Sequence, residues 1–313
     1  MLKIALASDN NYAPYLATTM LSALAHSTQS IDFYILDLGI SSENKVILNK
    51  ISNNIKFIAV PIDDFNSLPK TISYISSATY ARLKIAEYIL DCDQIIYLDI
   101  DTLVCQDLLP LWQTSLNDNW LGACFDAYVE YEHPYYKQTI GLAAQQYYFN
   151  AGILLIDLEK WRSRNIFEDA TKWLEQHPDI LYQDQDILNG LFAGKVKYLN
   201  TRYNFMPTQR NRMKAANKSK LNLVCYEKTA FPVAIFHYCG SNKAWQKEGM
   251  GSLNADVYLK IFYQHKHLFP ESWHKKFHNP SLVEYLYSLI KRLKFKYIYK
   301  IFYNLANTHI LSQ

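Results

Sequence analysis

Two acids separated by one residue follow an apolar run in the first third of the chain. Asp99 and Asp101 come after residues 95–98, which are apolar or aromatic and predict a strand buried on both faces. Side chains two positions apart in a strand lie on the same side, so the two carboxylates converge. Such a pair predicts a site for a hard divalent cation that in turn holds a diphosphate. The same pattern also fits a strand that ends in a polar turn.

Two other predicted strands end in polar side chains. Asp126 follows the apolar residues 120–125, and His237 follows residues 233–236, with Lys243 further along the chain. A histidine after an apolar strand serves either as a ligand or as a structural hydrogen-bonding partner. Here it ends a third strand, after those that lead to the acids.

Three further segments combine polar side chains with apolar elements. The strand predicted at residues 150–157 opens on small residues, which let a ligand approach the backbone. Arg82 lies near the start of the helix predicted at residues 79–90, and either reaches the carboxyl edge of the sheet or pairs on the surface. The acids within residues 182–186 either serve the site or only cap the helix that follows them.

The first predicted strand, residues 3–8, ends on polar side chains where open α/β sheets bind nucleotides. Asp9 and Asn10 can pair with a uracil edge, and Tyr12 offers a stacking face. The same residues equally fit an Asx turn before a helix. The sequence has no Gly-x-Gly-x-x-Gly fingerprint and no glycine-rich loop after this strand. This counts against a dinucleotide oxidoreductase and a sugar-nucleotide pyrophosphorylase.

Alternating strands and helices must position these side chains. Strands are predicted at residues 3–8, 31–38 and 55–60, with helices at residues 14–26 and from Ser41 onward. This alternation favours a largely parallel sheet. Residues 128–149, aromatic and poor in glycine, predict a covering loop or lid.

The composition limits the class of protein. With 313 residues, half of them apolar, the chain can form one α/β domain or one domain with an appendage. Its five scattered cysteines lack any Cys-x-x-Cys spacing, which favours a reduced cytoplasmic setting. We expect no signal peptide and no membrane-spanning run. The net charge of +3 resides in the tail after residue 279, and we expect no nucleic-acid partner.

Five longer motifs follow one another in the chain. They are Thr79-Tyr80-Ala81-Arg82-Leu83, Tyr97-Leu98-Asp99-Ile100-Asp101, Tyr148-Phe149-Asn150-Ala151-Gly152, Tyr182-Gln183-Asp184-Gln185-Asp186-Ile187-Leu188-Asn189 and His237-Tyr238-Cys239-Gly240. In this order they resemble the retaining glycosyltransferases of family 8, from Ile4 to about Trp245. Several long motifs in the right order are far more specific than one Asp-x-Asp pair.

The resemblance implies an α/β protein with a GT-A fold, a Rossmann-like mixed sheet flanked by helices, to which this chain adds a basic amphipathic C-terminal tail. It implies that Asp99, Asp101 and His237 bind Mn²⁺, with Mg²⁺ as a weaker substitute, because two carboxylates and an imidazole suit Mn²⁺ better. The implied partners are a UDP-sugar donor and a lipid-linked oligosaccharide acceptor.

The resemblance also assigns the site residues. Donor binding is assigned to Ala7, Asp9, Asn11, Tyr12, Arg82, Asp99, Ile100, Asn150, Ala151, Asp184, Gln185, Gly240 and Lys243. Acceptor binding is assigned to Tyr74, Asp126, Tyr182, Thr208 and Cys239, and catalysis to Gln185, Asp184 and Asp126. Three positions depart from the family pattern: Tyr74 replaces a histidine, Asn10 an acid and Ser241 a proline.

The assignment of Gln185 bears on how the anomeric configuration is retained. Double displacement needs a carboxylate nucleophile opposite the leaving group, but the resemblance places the amide of Gln185 there. Asp126 and Asp184, the nearby acids, are better suited to binding hydroxyl groups. We therefore expect the acceptor to attack the face from which UDP leaves, with a phosphate oxygen taking the acceptor proton.

The resemblance implies transfer of galactose from UDP-galactose to a terminal sugar of a lipooligosaccharide or lipopolysaccharide outer core. The expected linkage is α-1,4, to a lactose-like end. A UDP-glucose-dependent glucosyltransferase of the same family is the near alternative. A non-catalytic sugar-nucleotide or glycan-binding protein is a distant one, because it would not need Asp99, Asp101 and His237 together.

The sequence after the motifs ends in a segment rich in basic and aromatic residues. We expect a catalytic domain at residues 1–250, a helical extension at residues 251–280 and a basic aromatic segment at residues 281–313. In that last segment Glu284 is the only acid, and lysine and arginine alternate with apolar and aromatic residues. Such segments bind anionic membranes, so we expect a peripheral position on the cytoplasmic face of the bacterial inner membrane. The alternative is a helix packed on the domain or on a second subunit.

Overall fold

A computed structural model describes the protein over residues 1–71, 77–216, 226–227 and 229–310. A mixed sheet of seven strands lies at its centre, accompanied by a two-stranded sheet. The strands in these ranges are β1 (Leu2–Ser8), β2 (Ile31–Asp37), β3 (Ile55–Ala59), β4 (Gln94–Leu98), β5 (Thr102–Val104), β6 (Leu121–Phe125), β7 (Phe149–Asp157), β8 (Val196–Tyr198) and β9 (Ile235–His237).

The large sheet has the strand order β3-β2-β1-β4-β7-β6-β8. β1 is parallel to β2 and β4, and β2 is parallel to β3, as the alternation of strands and helices predicts. β7 is antiparallel to both β4 and β6, which makes the sheet mixed. The side chains of residues 95–98 in β4 are all buried, so the predicted burial of this strand on both faces is confirmed.

The carboxyl ends of β1 and β4 meet the amino end of β7 at one edge of this sheet. Because β7 runs against β4, Leu98 lies opposite Ile153. One step further along, the backbone N–H of Asp99 donates to the carbonyl of Gly152 at 2.7 Å. The polar residues that follow β1 and β4 therefore lie beside the residues that open β7.

The two-stranded sheet places the second acid and the histidine. β5 begins directly after Asp101 and pairs antiparallel with β9, so that Thr102 lies opposite His237. The backbone N–H of Tyr238 donates to the carbonyl of Asp101 at 2.9 Å. Asp99 and Asp101 therefore lie in the short link from β4 to β5, between the two sheets.

Helices surround the large sheet. Those with defined bounds are α1 (Ala13–His26), α2 (Ser42–Asn49), α3 (Ile85–Tyr88), α4 (Leu109–Trp112), α5 (Ala127–Glu132), α6 (Tyr136–Thr139), α7 (Leu158–Arg162), α8 (Ile166–Gln176), α9 (Asp184–Leu191), α10 (Pro207–Ala216), α11 (Ala255–Gln264), α12 (Glu271–His274) and α13 (Leu282–Ile310). Short 3₁₀ helices span Ile62–Phe65, Ser77–Lys84, Thr201–Tyr203, Lys247–Gly251 and Lys266–Leu268. Within the ranges that the structure describes, no helix combines the length and apolar character that a membrane crossing requires.

Two apolar clusters, one on each face of the sheet, join these layers. Leu2, Ile4 and Leu6 of β1 belong to the first cluster, whereas Ala5 and Ala7 belong to the second, as expected for side chains that alternate between faces. The first cluster also contains buried residues of α1, α11 and α13. The C-terminal helices thus pack on the same core as β1.

Two predicted elements differ from the structure. The helix predicted at residues 79–90 is a 3₁₀ helix followed by α3. Tyr80 and Arg82 point to different surroundings yet are both buried, and Arg82 Nε donates to the Thr79 carbonyl at 3.0 Å. The loop predicted at residues 128–149 contains α6 and most of α5.

Candidate active site

Asp99, Asp101 and His237 converge at the junction of the two sheets. One ligand atom from each residue lies within 4.8 Å of the other two. His237 Nε2 is 3.2 Å from Asp101 Oδ1 and 3.6 Å from Asp99 Oδ2. Two carboxylates and one imidazole that face a common point form a candidate site for a divalent metal ion.

Asp101 has a buried oxygen that fits a bound cation. No group in the described ranges donates a hydrogen bond to its Oδ1 atom. The Oδ2 atom pairs with the ammonium of Lys243. Burial alone would raise the pKa of Asp101, but the ammonium of Lys243 opposes that effect, and the pKa lies well below its usual range. An ionised carboxylate with a buried, undonated oxygen fits a metal ion at this point.

A chain of hydrogen bonds fixes the tautomer of His237. The backbone N–H of Gly152 donates to Asn150 Oδ1 at 3.0 Å, and Asn204 Nδ2 donates to the same oxygen at 2.9 Å. Asn204 therefore presents its own Oδ1 to His237 Nδ1, at 3.0 Å. Because that oxygen can only accept, Nδ1 carries the proton. The lone pair of Nε2 then faces the two acids, as in a metal-ligating imidazole.

Gly152 leaves the space that the three side chains occupy. A Cβ atom at this position would lie 2.2 Å from His237 Cε1 and 2.7 Å from Asp99 Oδ2. Both distances are shorter than van der Waals contact, so a side chain here would displace the histidine or the acid. Gly152 near the start of β7 therefore leaves room for these side chains, as the small residues in this segment of the sequence predict.

Arg82 lies at the sheet edge and is buried. Its guanidinium is 2.7 Å from Asp99 Oδ1 and 3.0 Å from Asp184 Oδ2, and lies over the Tyr97 ring at 4.4 Å from the centroid. Burial raises the pKa of Asp184 to about 6, although Arg82 and the Thr79 hydroxyl both favour the ionised carboxylate. Arg82 thus connects a candidate metal ligand to the acid predicted to contact the sugar.

Asp126 is held by several protein donors. Its Oδ2 atom accepts from Asn150 Nδ2 and Gln209 Nε2, each at 3.1 Å, and from Gln185 Nε2 at 3.4 Å. Its Oδ1 atom caps α5 by accepting from the backbone N–H of Tyr128 at 3.0 Å. With both oxygens engaged and the side chain buried, this carboxylate is poorly placed to attack a sugar.

The side chain of Asp9 forms an Asx turn, which is one of the two interpretations of the residues that follow β1. Its Oδ1 atom accepts from the backbone N–H groups of Asn11 and Tyr12, at 2.8 Å and 3.0 Å. Asn10 contacts the loop before α2, where its Oδ1 atom accepts from the Ser41 N–H at 2.9 Å. Asp9 and Tyr12 also line the cavity above the metal-site residues, so nucleotide binding by these two side chains stays a prediction.

Most of the predicted site residues line one cavity. They are Ala7, Asp9, Tyr12, Arg82, Asp99, Ile100, Asp101, Asp126, Asn150, Ala151, Tyr182, Asp184, Gln185, His237, Cys239, Gly240 and Lys243. Asn11 and Thr208 lie outside this lining, and the Thr208 hydroxyl donates to the Cys239 carbonyl at 2.6 Å. Tyr74 lies outside the described residues.

Sequence patterns missed several residues that line or order this cavity. Gln209 and Arg212 of α10 and Tyr128 of α5 belong to the lining. Asn204, which orients His237, follows a short 3₁₀ helix where neither periodicity nor spacing marks a functional side chain. Asn150, which the Asn-Ala-Gly motif does mark, is the residue through which Asn204 connects to β7.

Comparison with known proteins agrees with this geometry. A family model described as glycosyl transferase family 8 matches residues 3–249. The crystal structure of the galactosyltransferase LgtC in complex with donor and acceptor sugar analogues is 44% identical, with a TM-score of 0.80 over 88% of this chain and 100% of that chain. The predicted α/β architecture with a GT-A fold is thereby confirmed.

Relatives with curated names agree as well. A Haemophilus influenzae protein with a provisional glycosyltransferase name is 40% identical over 300 residues, which cover 94% of this chain and 88% of the relative. The lipopolysaccharide 1,2-glucosyltransferase of Escherichia coli is 26% identical, over 79% of this chain and 73% of the relative. Together with the match to the family model, this degree of identity shows that the chain belongs to glycosyl transferase family 8.

Proposed function

We propose that this protein transfers galactose from UDP-galactose to a lactose-like end of a lipid-linked oligosaccharide, forms an α-1,4 linkage with retention of configuration, and depends on Mn²⁺. The observation that carries the proposal is the convergence of Asp99, Asp101 and His237, where the buried Asp101 Oδ1 atom has no donor among the described residues. The likeness to LgtC, a galactosyltransferase solved with donor and acceptor sugar analogues, supports the choice of galactose and of the acceptor class.

The charged residues of the cavity suit a diphosphate leaving group. Mn²⁺ held by Asp99, Asp101 and His237, or Mg²⁺ more weakly, would supply positive charge to the diphosphate. Lys243, whose ammonium pairs with Asp101 and lines the same cavity, would pair with a phosphate oxygen of the bound donor. Gly240 has a φ of +93° and lines the cavity next to these groups, so its backbone can approach the diphosphate closely.

The remaining predicted contacts divide between uridine, donor sugar and acceptor. Tyr12, Asp9 and Asn11 would hold the uridine at the end of β1. Asp184, held by Arg82 at 3.0 Å, would accept hydrogen bonds from donor-sugar hydroxyls. Ala7, Ile100, Asn150 and Ala151 would complete the donor side, and Tyr74, Asp126, Tyr182, Thr208 and Cys239 the acceptor side.

The carboxylates near the predicted sugar site favour attack from the face that UDP leaves. Asp126 accepts five protein hydrogen bonds, and Asp184 is engaged by Arg82 and Thr79. Asp186 accepts from two tyrosines and two backbone N–H groups. With each acid occupied in this way, the acceptor hydroxyl is the better nucleophile, and its proton passes to a phosphate oxygen of the departing UDP.

Gln185→Ala is expected to slow transfer by about a hundredfold while the product keeps the anomeric configuration of the donor, because the amide only steadies the positive charge on the sugar. NMR of the first-formed product and the initial rate measure both quantities. Gln138→Ala, an exposed glutamine of α6, is the matched control and should transfer at the parental rate. A glycosyl adduct trapped on any carboxylate of the parent protein would contradict the same-face mechanism.

Parallel assays with two donors test the proposed function. UDP-galactose and UDP-glucose are each supplied with lactose and with lactose-ended oligosaccharides, and the product linkage is read by NMR. We expect transfer from UDP-galactose to exceed transfer from UDP-glucose, with an α-1,4 linkage. A preference for UDP-glucose would instead support the glucosyltransferase alternative, which the similarity to the Escherichia coli lipopolysaccharide 1,2-glucosyltransferase favours. Binding of UDP without any release from a UDP-sugar would indicate a non-catalytic protein.

We further propose that α13 carries this enzyme to the cytoplasmic face of an anionic inner membrane. The family match ends at residue 249, which supports a catalytic domain at residues 1–250, an extension at residues 251–280 and a membrane-association segment at residues 281–313. Leu286, Ile290, Leu293 and Tyr297 follow one another at helical spacing and are 47%, 50%, 55% and 69% exposed. Exposed lysines lie on the same helix, as in helices that bind in the headgroup layer.

The inner side of α13 packs on the domain. The alternative prediction, a helix packed on the domain, therefore holds for this side. Phe295 is buried with its ring 5.6 Å from that of Phe205. Arg292 lies 2.9 Å from Asp256 Oδ2, and the Ser288 hydroxyl donates to Asp256 Oδ1 at 2.8 Å. Removing the whole helix would take both partners from Asp256 and uncover the core around Phe205, so a test of membrane binding should change the outer face alone.

Replacing Leu286, Ile290, Leu293 and Tyr297 by serine is expected to abolish sedimentation with anionic vesicles at low salt and to leave transfer to a free oligosaccharide unchanged. Each serine removes an apolar side chain that would enter the headgroup layer, while the inner face keeps α13 docked. The matched control replaces four exposed apolar residues elsewhere, Val46, Ile62, Leu90 and Tyr135, by serine. Equal partitioning of the parent and the α13 variant, independent of salt, would refute the membrane role.

A further inference from the structure

The side-chain amide of Gln185 is surrounded by groups that distinguish its oxygen from its nitrogen. Its Oε1 atom accepts from the backbone N–H of Ala151 at 3.1 Å. Its Nε2 atom faces two oxygens, Asp126 Oδ2 at 3.4 Å and the hydroxyl of Tyr148 at 3.2 Å. A backbone N–H can only donate and a carboxylate can only accept, so these neighbours already favour one orientation of the amide.

The Tyr148 hydroxyl acts as an acceptor toward Gln185 because its proton is committed elsewhere. Tyr148 is fully buried, and its hydroxyl donates to Asp186 Oδ1 at 2.6 Å. Burial and the charge of Asp186 raise the pKa of Tyr148 well above its usual value, so the hydroxyl keeps its proton. The oxygen of that hydroxyl then has only lone pairs to offer to Gln185 Nε2.

The other oxygen of Asp186 is fixed by donors as well. Its Oδ2 atom accepts from the hydroxyl of Tyr136 at 2.5 Å and from the backbone N–H groups of Leu181 and Tyr182, at 2.9 Å and 2.7 Å. This carboxylate therefore cannot rotate without losing three donors at once. It sets the direction of the whole chain of hydrogen bonds, from Tyr148 to Gln185.

We propose that Tyr148, oriented by Asp186, is a positioning residue that keeps the Gln185 amide turned with its nitrogen toward Asp126 and its oxygen toward the cavity. The inference rests on the proposed function, in which Gln185 lies next to the anomeric carbon. One lone pair of Oε1 is used by Ala151, and the second is available to the positive charge that develops on the sugar. A flipped amide would present two N–H donors to that charge instead.

The chain offers a matched pair of substitutions. Tyr148→Phe and Tyr136→Phe each remove one hydroxyl that donates to Asp186, and each leaves the ring in place. Tyr136 makes no hydrogen bond to Gln185 and does not belong to the cavity lining. We expect Tyr148→Phe to lower kcat about tenfold with the KM for the UDP-sugar within twofold of the parent. Tyr136→Phe should lower Tm about as much as Tyr148→Phe does. Its kcat should stay within about twofold of the parent.

Asp186→Asn tests the direction of the hydrogen bonds from Asp186 to Gln185 without removing Tyr148. Donors hold Oδ2, so the new amide oxygen takes that place and the new NH₂ group faces Tyr148. The tyrosine hydroxyl then accepts from this NH₂ and turns its own proton toward Gln185 Nε2, so the Gln185 amide loses the acceptor that holds its nitrogen on this side. We expect a fall in kcat of about tenfold, as for Tyr148→Phe, and this variant keeps the proposal testable if Tyr148→Phe does not fold.

A double-substitution cycle separates positioning from a general loss of structure. If Tyr148 acts through Gln185, adding Tyr148→Phe to Gln185→Ala should lower kcat by less than about twofold more. Losses that multiply in the double variant, or equal kcat values for Tyr148→Phe and Tyr136→Phe, would overturn the inference while leaving the proposed function intact. A parent protein that releases no UDP from any UDP-sugar would overturn the proposed function, and this inference with it.

Discussion

Asp101→Asn protein is expected to fold as the parent does and to transfer sugar at least about a hundredfold more slowly, a loss of about 2.7 kcal/mol in transition-state stabilisation. An amide cannot replace the ionised Oδ1 atom of Asp101, which has no donor in the part of the chain that the structure describes and lies 3.2 Å from His237 Nε2. His237→Ala should have an effect of the same size, because it removes the lone pair that faces both acids. Initial rates at saturating Mn²⁺ measure the loss.

Control measurements distinguish a lost metal ligand from a lost fold. Asp118→Asn changes an exposed aspartate in the loop before β6 and should keep the parental rate. Circular dichroism and Tm should be similar for all three variants, and Mn²⁺ binding, followed by electron paramagnetic resonance, should weaken only in Asp101→Asn and His237→Ala. Near-parental transfer by folded Asp101→Asn protein would show that the metal assignment is wrong.

Gly152→Ala is expected to weaken Mn²⁺ binding by about a hundredfold and to lower transfer at least as much. The added Cβ would lie 2.2 Å from His237 Cε1, so the ring must leave its place between Asn204 and the two acids. The backbone of β7 does not depend on a glycine for its conformation there, since no positive φ is present at this residue. The effect should therefore fall on the site and spare the fold.

Gly251→Ala is the matched control for that substitution. A Cβ at this position would meet only Lys291 Nζ, at 4.0 Å, which is ordinary contact with the end of a flexible side chain. This variant should bind Mn²⁺ and transfer sugar as the parent does. Parental Mn²⁺ affinity in folded Gly152→Ala protein would mean that the His237 ring does not need this space, which contradicts the described arrangement of the ligands.

The candidate metal ligands Asp99, Asp101 and His237 could be selected from the sequence because each follows or ends an apolar strand. The apolar run at residues 95–98 predicted that Asp99 and Asp101 follow a buried strand, and they lie in the short link from β4 to β5. What the pattern does not contain is the second sheet, in which Thr102 pairs with His237 across more than a hundred residues of sequence. The family motifs supplied that long-range relation, which spacing alone does not reveal.

Residues that act through other residues were harder to predict. Asn204 fixes the tautomer of His237 through a single hydrogen bond from a segment without regular periodicity. The sequence does not decide whether Arg82 reaches the sheet edge or pairs on the surface, because an arginine in an apolar helical pattern is compatible with both positions. Its burial depends on the simultaneous presence of Asp99 and Asp184, which lie far apart in the sequence.

The C-terminal helix shows a second limit of sequence patterns. Interleaved lysines and aromatic residues predicted a membrane-binding segment, yet Ser288, Arg292 and Phe295 pack on the domain. Charge and apolar periodicity describe both faces of a helix, but they do not say which face finds a partner in the protein. Asp256, the buried acid that Ser288 and Arg292 contact, lies in α11. No pattern in the sequence around Asp256 predicts this contact.

Release of UDP from UDP-galactose by protein stripped of metal, measured before and after addition of Mn²⁺, tests the central claim most directly. Asp99, Asp101 and the Nε2 lone pair of His237 form one candidate metal site in the cavity lining, so the stripped protein should release almost no UDP. Added Mn²⁺ should restore release by at least about a hundredfold, with Mg²⁺ less effective. Equal release by stripped and Mn²⁺-loaded protein would contradict the claim that these three residues hold a metal ion needed for sugar transfer.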